Sequence, residues 1–237
     1  MSTFLQICKN VSRECNISGG DTVPTAVTTQ TGELQRVVKW VEQAYKELQE
    51  KYLDWRWMRV GFTVNTVSGT DSYAYGTVTD ILTSAVITRF SRWRLFDEND
   101  PPKIYLTASG VGTEGWLIPL GWDNFKWLYR KGTQNNGYPA HITIDPQNNI
   151  VLGPKPDGIY TVTGDYQRSA QILAADGDIP EMPTQYHDLI MYLAMEKYAL
   201  FHSAQEVLVA ARTGIGRILG QLEMNQLPPM PLAGPMA

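Results

Sequence analysis

The sequence predicts an α+β fold: helices near both ends of the chain, a long antiparallel β-rich insertion between them, and an extended Pro-rich C-terminal tail. Three observations lead to it. Leu34, Val37, Val38, Val41, Tyr45, Leu48 and Tyr52 recur at the three- and four-residue intervals of an amphipathic helix. Between residues 60 and 168 apolar residues mostly alternate with polar ones, and turn residues break the runs, as in strands. From Thr184 the helical spacing returns, until Pro228, Pro229, Pro231 and Pro235 exclude further helix or central strand.

The first element spans Ser2 to Ile17, with Leu5, Cys8, Val11 and Cys15 on one face and Gly19-Gly20 as its stop. A Thr-rich stretch follows, and Thr31 is placed to cap the main helix. Lys39, Glu42, Lys46, Glu47 and Glu50 fall on that helix's outer side. After Trp55 and Trp57, Phe62, Val64 and Thr66 begin the β pattern, and Ser68 to Asp71 turn it toward Tyr73 and Tyr75. Val86 to Phe96 reads as a second alternating run, Ile104 to Leu106 as a short strand, and Asp123 to Lys131 as a short helix stopped by Gly132. Ile142 and Ile144, the Asp145 to Asn149 loop, and Ile150 to Leu152 form a hairpin signal. Pro154 to Gly158 turns the chain into the alternating run Tyr160 to Tyr166. Thr184 caps a helix through Phe201, and Ser203 with Glu206 matches a capping box that opens a last helix to about Gln226. In that helix Gly214, Gly216 and Gly220 each weaken an exposed position by up to ~1 kcal/mol.

The resulting divisions are 1–58 for the N-terminal helices, 59–178 for the β-rich insertion, 179–226 for the C-terminal helices and 227–237 for the extended tail. The two helices before the insertion and the two after it are expected to pair as a four-helix platform.

A chain of 237 residues, 43% hydrophobic and 19% charged, can bury a sizeable core and is not a disordered composition. It has no apolar run near the ~20 residues of a membrane span, and its N-terminus does not read as a secretory signal. A net charge of -4 argues against nucleic-acid wrapping as the main task. Cys8 and Cys15, on one helix and roughly 10 Å apart along it, are too distant for a disulfide. They read as reduced, small core residues.

The search for chemistry finds little. Gly214-Ile215-Gly216 lacks the remaining spacing of a phosphate loop and has no strand before it. No zinc-ligand or nucleophile-elbow pattern occurs. His187 and Asp188 are adjacent on a helix and point about 100° apart, so His187 reads as a surface or interface residue rather than a catalytic base. Asp97, Glu98 and Asp100, and also Asp176 and Asp178, read as solvated turns, although a glycosidase needs only two carboxylates. Arg92 and Arg94 share one strand face, suited to an exposed polar sheet surface or to phosphate. Trp116, Trp122 and Trp127 lie close in sequence, and their alternatives are core filling, sugar stacking and protein docking. Catalytic, cofactor and metal residues are therefore expected to be absent.

Several stretches resemble a known family. They are Gly32-Glu33-Leu34 through Trp40-Val41, Ala44-Tyr45 and Leu48-Gln49 to Trp55-Arg56-Trp57; Trp127-Leu128-Tyr129-Arg130 and Gly137-Tyr138-Pro139; Ile150 and Leu152 with Pro154-Lys155-Pro156-Asp157-Gly158; and Ile179-Pro180-Glu181-Met182-Pro183 with Tyr186-His187-Asp188-Leu189-Ile190 and Ala194-Met195. Their order resembles that of the head-to-tail adaptor (connector) proteins of tailed bacteriophages, from Gly32 to Phe201.

That resemblance implies a structural virion protein without catalytic residues or cofactors, made in the host cytoplasm and placed in the neck between head and tail. It implies a ring of identical subunits, commonly twelve, beneath the portal protein. The ring extends the channel through which genomic DNA passes without sequence-specific binding, and it docks a tail or nozzle protein. On this reading Pro228, Pro229, Met230, Pro231 and Leu232 contact the portal or a neighbouring subunit, and Trp116, Trp122 and Trp127 dock the tail or a neighbour. The competing readings are a carbohydrate-binding virion module built on Trp116 to Trp127, a hydrolase with paired acids, and a DNA-binding regulator, which the negative charge opposes. The long insertion and the glycines of the last helix depart from the family pattern.

Overall fold

The computed structural model describes residues 2–17, 23–97 and 100–228. Its contacts divide the chain into two units: Met1–Met58 with Ala170–Ala237, and Arg59–Ser169.

The first unit is helical. Helix α1 (Phe4–Glu14) starts at Thr3, whose hydroxyl accepts the Gln6 N–H at 3.2 Å, and buries Phe4, Ile7, Cys8 and Val11. Helix α2 (Gly32–Glu50) follows Thr31, which stands at the expected cap position but makes no side-chain capping bond. It buries the expected face, Val37, Val38, Val41, Tyr45 and Leu48, together with Gln49. Helix α4 (His187–His202) packs on α1, α2 and the last helix, α5 (Gln205–Gln226). Touching three helices, α4 needs apolar residues around much of its circumference, and Leu189, Ile190, Ala194, Met195 and Ala199 supply them.

Four expectations are corrected in this unit. Thr184 does not cap α4, because Thr184–Tyr186 forms a 3-10 turn first. The Ser203/Glu206 capping box does not form: Ser203 is left-handed (φ 56°), closes α4 by donating its N–H to Ala199 O, and Ala204 precedes α5. His187 is buried rather than exposed, with Nε2 3.0 Å from the carbonyl of Met182 in the preceding loop. Residues 170–178 belong with the helices rather than with the insertion. Gln49 bonds both ways with the Gln171 backbone (3.0 and 2.7 Å), and Phe4 N–H donates to Asp178 O at 2.7 Å. Asp176 and Asp178 lie in the expected turn, Asp176 exposed, and both bond to backbone N–H groups. Asp176 accepts the Val27 N–H at 2.6 Å, and Asp178 accepts the Ala174 and Ala175 N–H groups.

The second unit is β-rich. Its strands are β1 (Arg59–Asn65), β2 (Ser72–Tyr73), β3 (Thr79–Asp80), β4 (Arg92–Arg94), β5 (Lys103–Leu106), β6 (Gly115–Trp116), β7 (Ile118–Pro119), β8 (His141–Ile144), β9 (Ile150–Gly153) and β10 (Tyr160–Gln167). One sheet has the order β3-β1-β10-β5-β6, and β4 also pairs with β10. β5 lies along Tyr160 to Thr163 and β4 along Asp165 to Gln167, so the two share one side of β10 end to end. The second sheet, β2-β9-β8-β7, contains the expected hairpin with Ile144 opposite Ile150. Asp145 organises its loop by accepting the Gln147 and Asn149 N–H groups at 2.9 and 2.8 Å.

The β block is not wholly antiparallel, because β7 pairs in parallel with β8. The run from Val86 to Phe96 forms a paired strand only at Arg92–Arg94. Phe62, Val64, Ile104 and Val162 of the first sheet share a core with Ile142, Ile150 and Leu152 of the second. Helix α3 (Trp122–Tyr129) packs on this second sheet, and a side chain at Gly153 would meet the Tyr129 ring at 2.5 Å.

Candidate functional site

Several acidic groups of the β unit are held in ion pairs. Asp97 and Asp100, expected in a solvated turn, surround Arg59 at 3.7 and 3.3 Å. Asp165 bonds the same guanidinium, and Arg94 lies 3.6 Å from Asp97. Glu98 lies outside the described residues. Burial pushes the Cys8 and Cys15 thiols up to about 12, so neither supplies the thiolate that cysteine chemistry needs. The hydrogen bond to Asp157, with burial, likewise pushes Tyr160 up to about 12. Among the described residues no group of three metal-binding side chains occurs, and no helix is long and apolar enough to cross a membrane.

Contact surfaces are better developed. In the β unit the three tryptophans do not form one platform, since no ring of the three contacts another among the described residues. Trp116, 57% exposed on β6, lies under the Lys103 ammonium at 5.0 Å. Trp122 is half-buried and stacks on Phe125, the buried anchor of α3, at 6.1 Å. Trp127 points away with 71% exposure beside Leu128. Trp116 also borders a groove of about 520 Å³ with Phe96, Pro101, Leu117, Ile118 and Pro119.

In the helical unit Trp40 contacts Tyr198, Phe201 and His202, while the Arg36 guanidinium covers Phe201 at 4.7 Å. A second groove, of about 860 Å³, runs between Tyr52 to Arg56 and the end of α5, where Met224 and Leu227 line it. Pro228, the last described residue, lies at its rim; Pro229, Met230, Pro231 and Leu232 lie outside the described residues.

Sequence reading missed the Met224 groove and an exposed hairpin carrying Ile81, Leu82 and Val86. The available signal for the hairpin was two aliphatic residues, Ile81-Leu82, set between the turn formers Asp80 and Thr83-Ser84.

Large apolar side chains thus remain exposed in both units, Trp116 and Trp127 in one and Phe201 and Met224 in the other. A comparison with curated proteins finds no match. The family model described as SU10 adaptor protein matches residues 2–232, nearly the whole chain, and the chain therefore belongs to this family of phage adaptor proteins, structural components of the virion.

Proposed function

We propose that this adaptor forms a ring beneath the portal of a tailed phage, extends the DNA channel and offers the docking surface for the tail. The observation that carries the reading is the family match over residues 2–232 on a chain with two units, each presenting its own exposed apolar surface. Two such surfaces suit a protein that meets more than one partner. DNA passes through the lumen without tight contact, consistent with a net charge of -4. The segment from Pro228 to Leu232 reaches the portal or a neighbouring copy, where a proline-rich chain loses less entropy on binding than a flexible one. Trp127 and Trp116 provide aromatic anchors for the tail or for a neighbour.

The test is the mass of the purified protein, alone and mixed with the portal complex of the same phage. The expected result is stoichiometric loading of many copies per portal, reduced by deleting Pro228 to Ala237. A protein that ignores the portal would overturn the reading.

A further inference from the structure

We propose that the β units of neighbouring copies join edge to edge, the aliphatic hairpin at the β3 edge of one copy seating in the apolar groove at the β6 edge of the next. The inference rests on the ring reading above and names the contact that builds the ring.

The hairpin is a rigid knob. Asp80 N–H donates to Ala85 O, and Ser84 N–H donates to Asp80 O, both at 2.8 Å. Thr79 bridges to Val86. Asp80 is only 4% exposed. One of its oxygens accepts the Leu82 and Thr83 N–H groups at 2.7 and 3.0 Å; the other accepts the Tyr166 hydroxyl at 2.5 Å. A buried carboxylate with three donors thus fixes a turn whose tip leaves Ile81, Leu82 and Val86 54%, 68% and 53% exposed. Grouped exposed aliphatics mark a contact surface, and a tip already fixed has little conformational freedom to lose on binding.

The groove is its counterpart. Phe96, Trp116 and Ile118, each more than half exposed, line it together with Leu117 and Pro119. Its charged residue, Asp97, is already paired with Arg59 and Arg94, so a seated aliphatic side chain strands no lone charge. β3 and β6 are the two ends of the sheet order, about 19 Å apart at four inter-strand spacings.

The hairpin and the groove lie at opposite ends of the sheet order, so a single hairpin-in-groove contact leaves one hairpin and one groove free for further copies. They join head to tail, and that geometry closes into a ring when each step adds a fixed rotation. Both edge strands are two residues long, too short for strand addition, so side chains make the contact.

The experiment compares the full-length protein with Leu82→Asp and Ile118→Asp, by native mass over a concentration series and on the portal complex. Both sites are exposed, and unchanged thermal melts establish that the variants fold. Wild-type protein is expected to form multi-copy assemblies. Each variant is expected to associate about 30-fold more weakly per contact, the loss of one buried aliphatic anchor. An equimolar mixture of the two variants is expected to stop at a dimer, because only one intact hairpin and one intact groove remain. As a second measurement, mixed Leu82→Cys and Ile118→Cys proteins should cross-link as a heterodimer, while neither does so alone; Cys8 and Cys15 are buried. Assembly of the wild type with undiminished assembly of both variants, absence of the cross-link, or a Leu82→Cys homodimer overturns the edge-to-edge contact while leaving the ring. Wild-type protein that stays monomeric alone and on the portal overturns the ring reading and this inference with it.

Discussion

The helical unit and the β unit are built in opposite ways from one chain. The helical unit is assembled from both ends of the sequence: Tyr45 hydroxyl donates to Gln171 Oε1 at 2.8 Å, and Lys197 reaches Glu47 at 2.7 Å. The β unit is continuous from Arg59 to Ser169, and its strands find partners inside that span. The helical unit therefore needs contacts between residues more than a hundred positions apart, with the loop-closure cost that entails. The β unit has the anatomy of an inserted domain with its own core. Such an insertion can change its surface turns without altering the helices, and the exposed Leu82, Trp116 and Trp127 all lie on it.

If the two units are separate cores, each should unfold with its own residues. The largest effect is expected from emptying each core. Trp55 is fully buried, donates its indole N–H to Leu48 O at 3.1 Å, and stacks on Trp57; Phe62 is fully buried against Trp93. Trp55→Ala and Phe62→Ala should each cost about 3–5 kcal/mol. In calorimetry the first should lower the transition of the helical unit and the second that of the β unit. A single transition displaced equally by both would show the units to be one cooperative body.

The next effect sharpens how each unit holds its outer helix. A Cβ at Gly153 would stand 2.5 Å from Tyr129 and 2.8 Å from Phe125, the residues that seat α3. Gly153→Ala should destabilise the β unit by about 1–3 kcal/mol and alter the fluorescence of Trp122 and Trp127. Gly214 is the equivalent in the helical unit, since a Cβ there would meet the Tyr192 ring at 2.6 Å. The gain in helix propensity offsets part of that clash, so Gly214→Ala should cost less, about 1–2 kcal/mol in the thermal or denaturant midpoint.

Acid should separate the units further. Burial alone would raise the Asp80 pKa, but the Tyr166, Thr83 and Leu82 hydrogen bonds and the Arg168 charge outweigh it and hold the carboxyl below its usual range. The unfolded chain then binds the Asp80 proton more readily. Its contribution is complete above about pH 4 and is lost as pH falls through the lower native value. Asp178, held down by the Ala175 and Ala174 N–H groups, and Glu223, whose bonds to Lys51 and Tyr52 outweigh burial, behave alike in the helical unit. Both are only half-buried, whereas Asp80 is buried, so the β transition should fall further below pH 4. Tyr166→Phe should cost about 1–2 kcal/mol at neutral pH and move the acid loss upward. An unchanged acid profile would remove Asp80 as its cause.

Much of the fold is legible where local chemistry alone decides. The buried face of α2 follows from its spacing, the β8–β9 hairpin from Asp145 and its loop, and the end of α5 from the prolines beyond Gln226. What resists is decided by distant residues. His187 looks like a polar residue on a helix until Met182 supplies its carbonyl, and exposed Asp176 gives no sign in sequence that Val27 donates to it. The two-residue strands β3, β6 and β7 carry no period of their own and exist through their partners. At the contact surfaces, residue type identifies the tryptophans, but only the fold separates exposed Trp116 and Trp127 from half-buried Trp122. The Ile81-Leu82 tip depends on Tyr166, more than eighty residues away, to anchor Asp80.

The smallest expected effect concerns the glycines of α5, which look alike in sequence and differ in the fold. Gly214 is buried under Tyr192, so its missing side chain is the condition for α4 and α5 to approach. Gly216 and Gly220 have open space where a Cβ would stand. Gly216→Ala and Gly220→Ala should therefore each stabilise the helical unit by up to ~1 kcal/mol, the difference in helix propensity, and leave the β transition unmoved. Gly220 also lines the groove that Met224 and Leu227 form, whereas Gly216 does not. If that groove receives the proposed portal partner, Gly220→Ala should stabilise the free protein yet weaken portal loading, and Gly216→Ala should stabilise it without that loss. Equal loading by both variants would remove the groove from the assembly and leave α5 as scaffold alone.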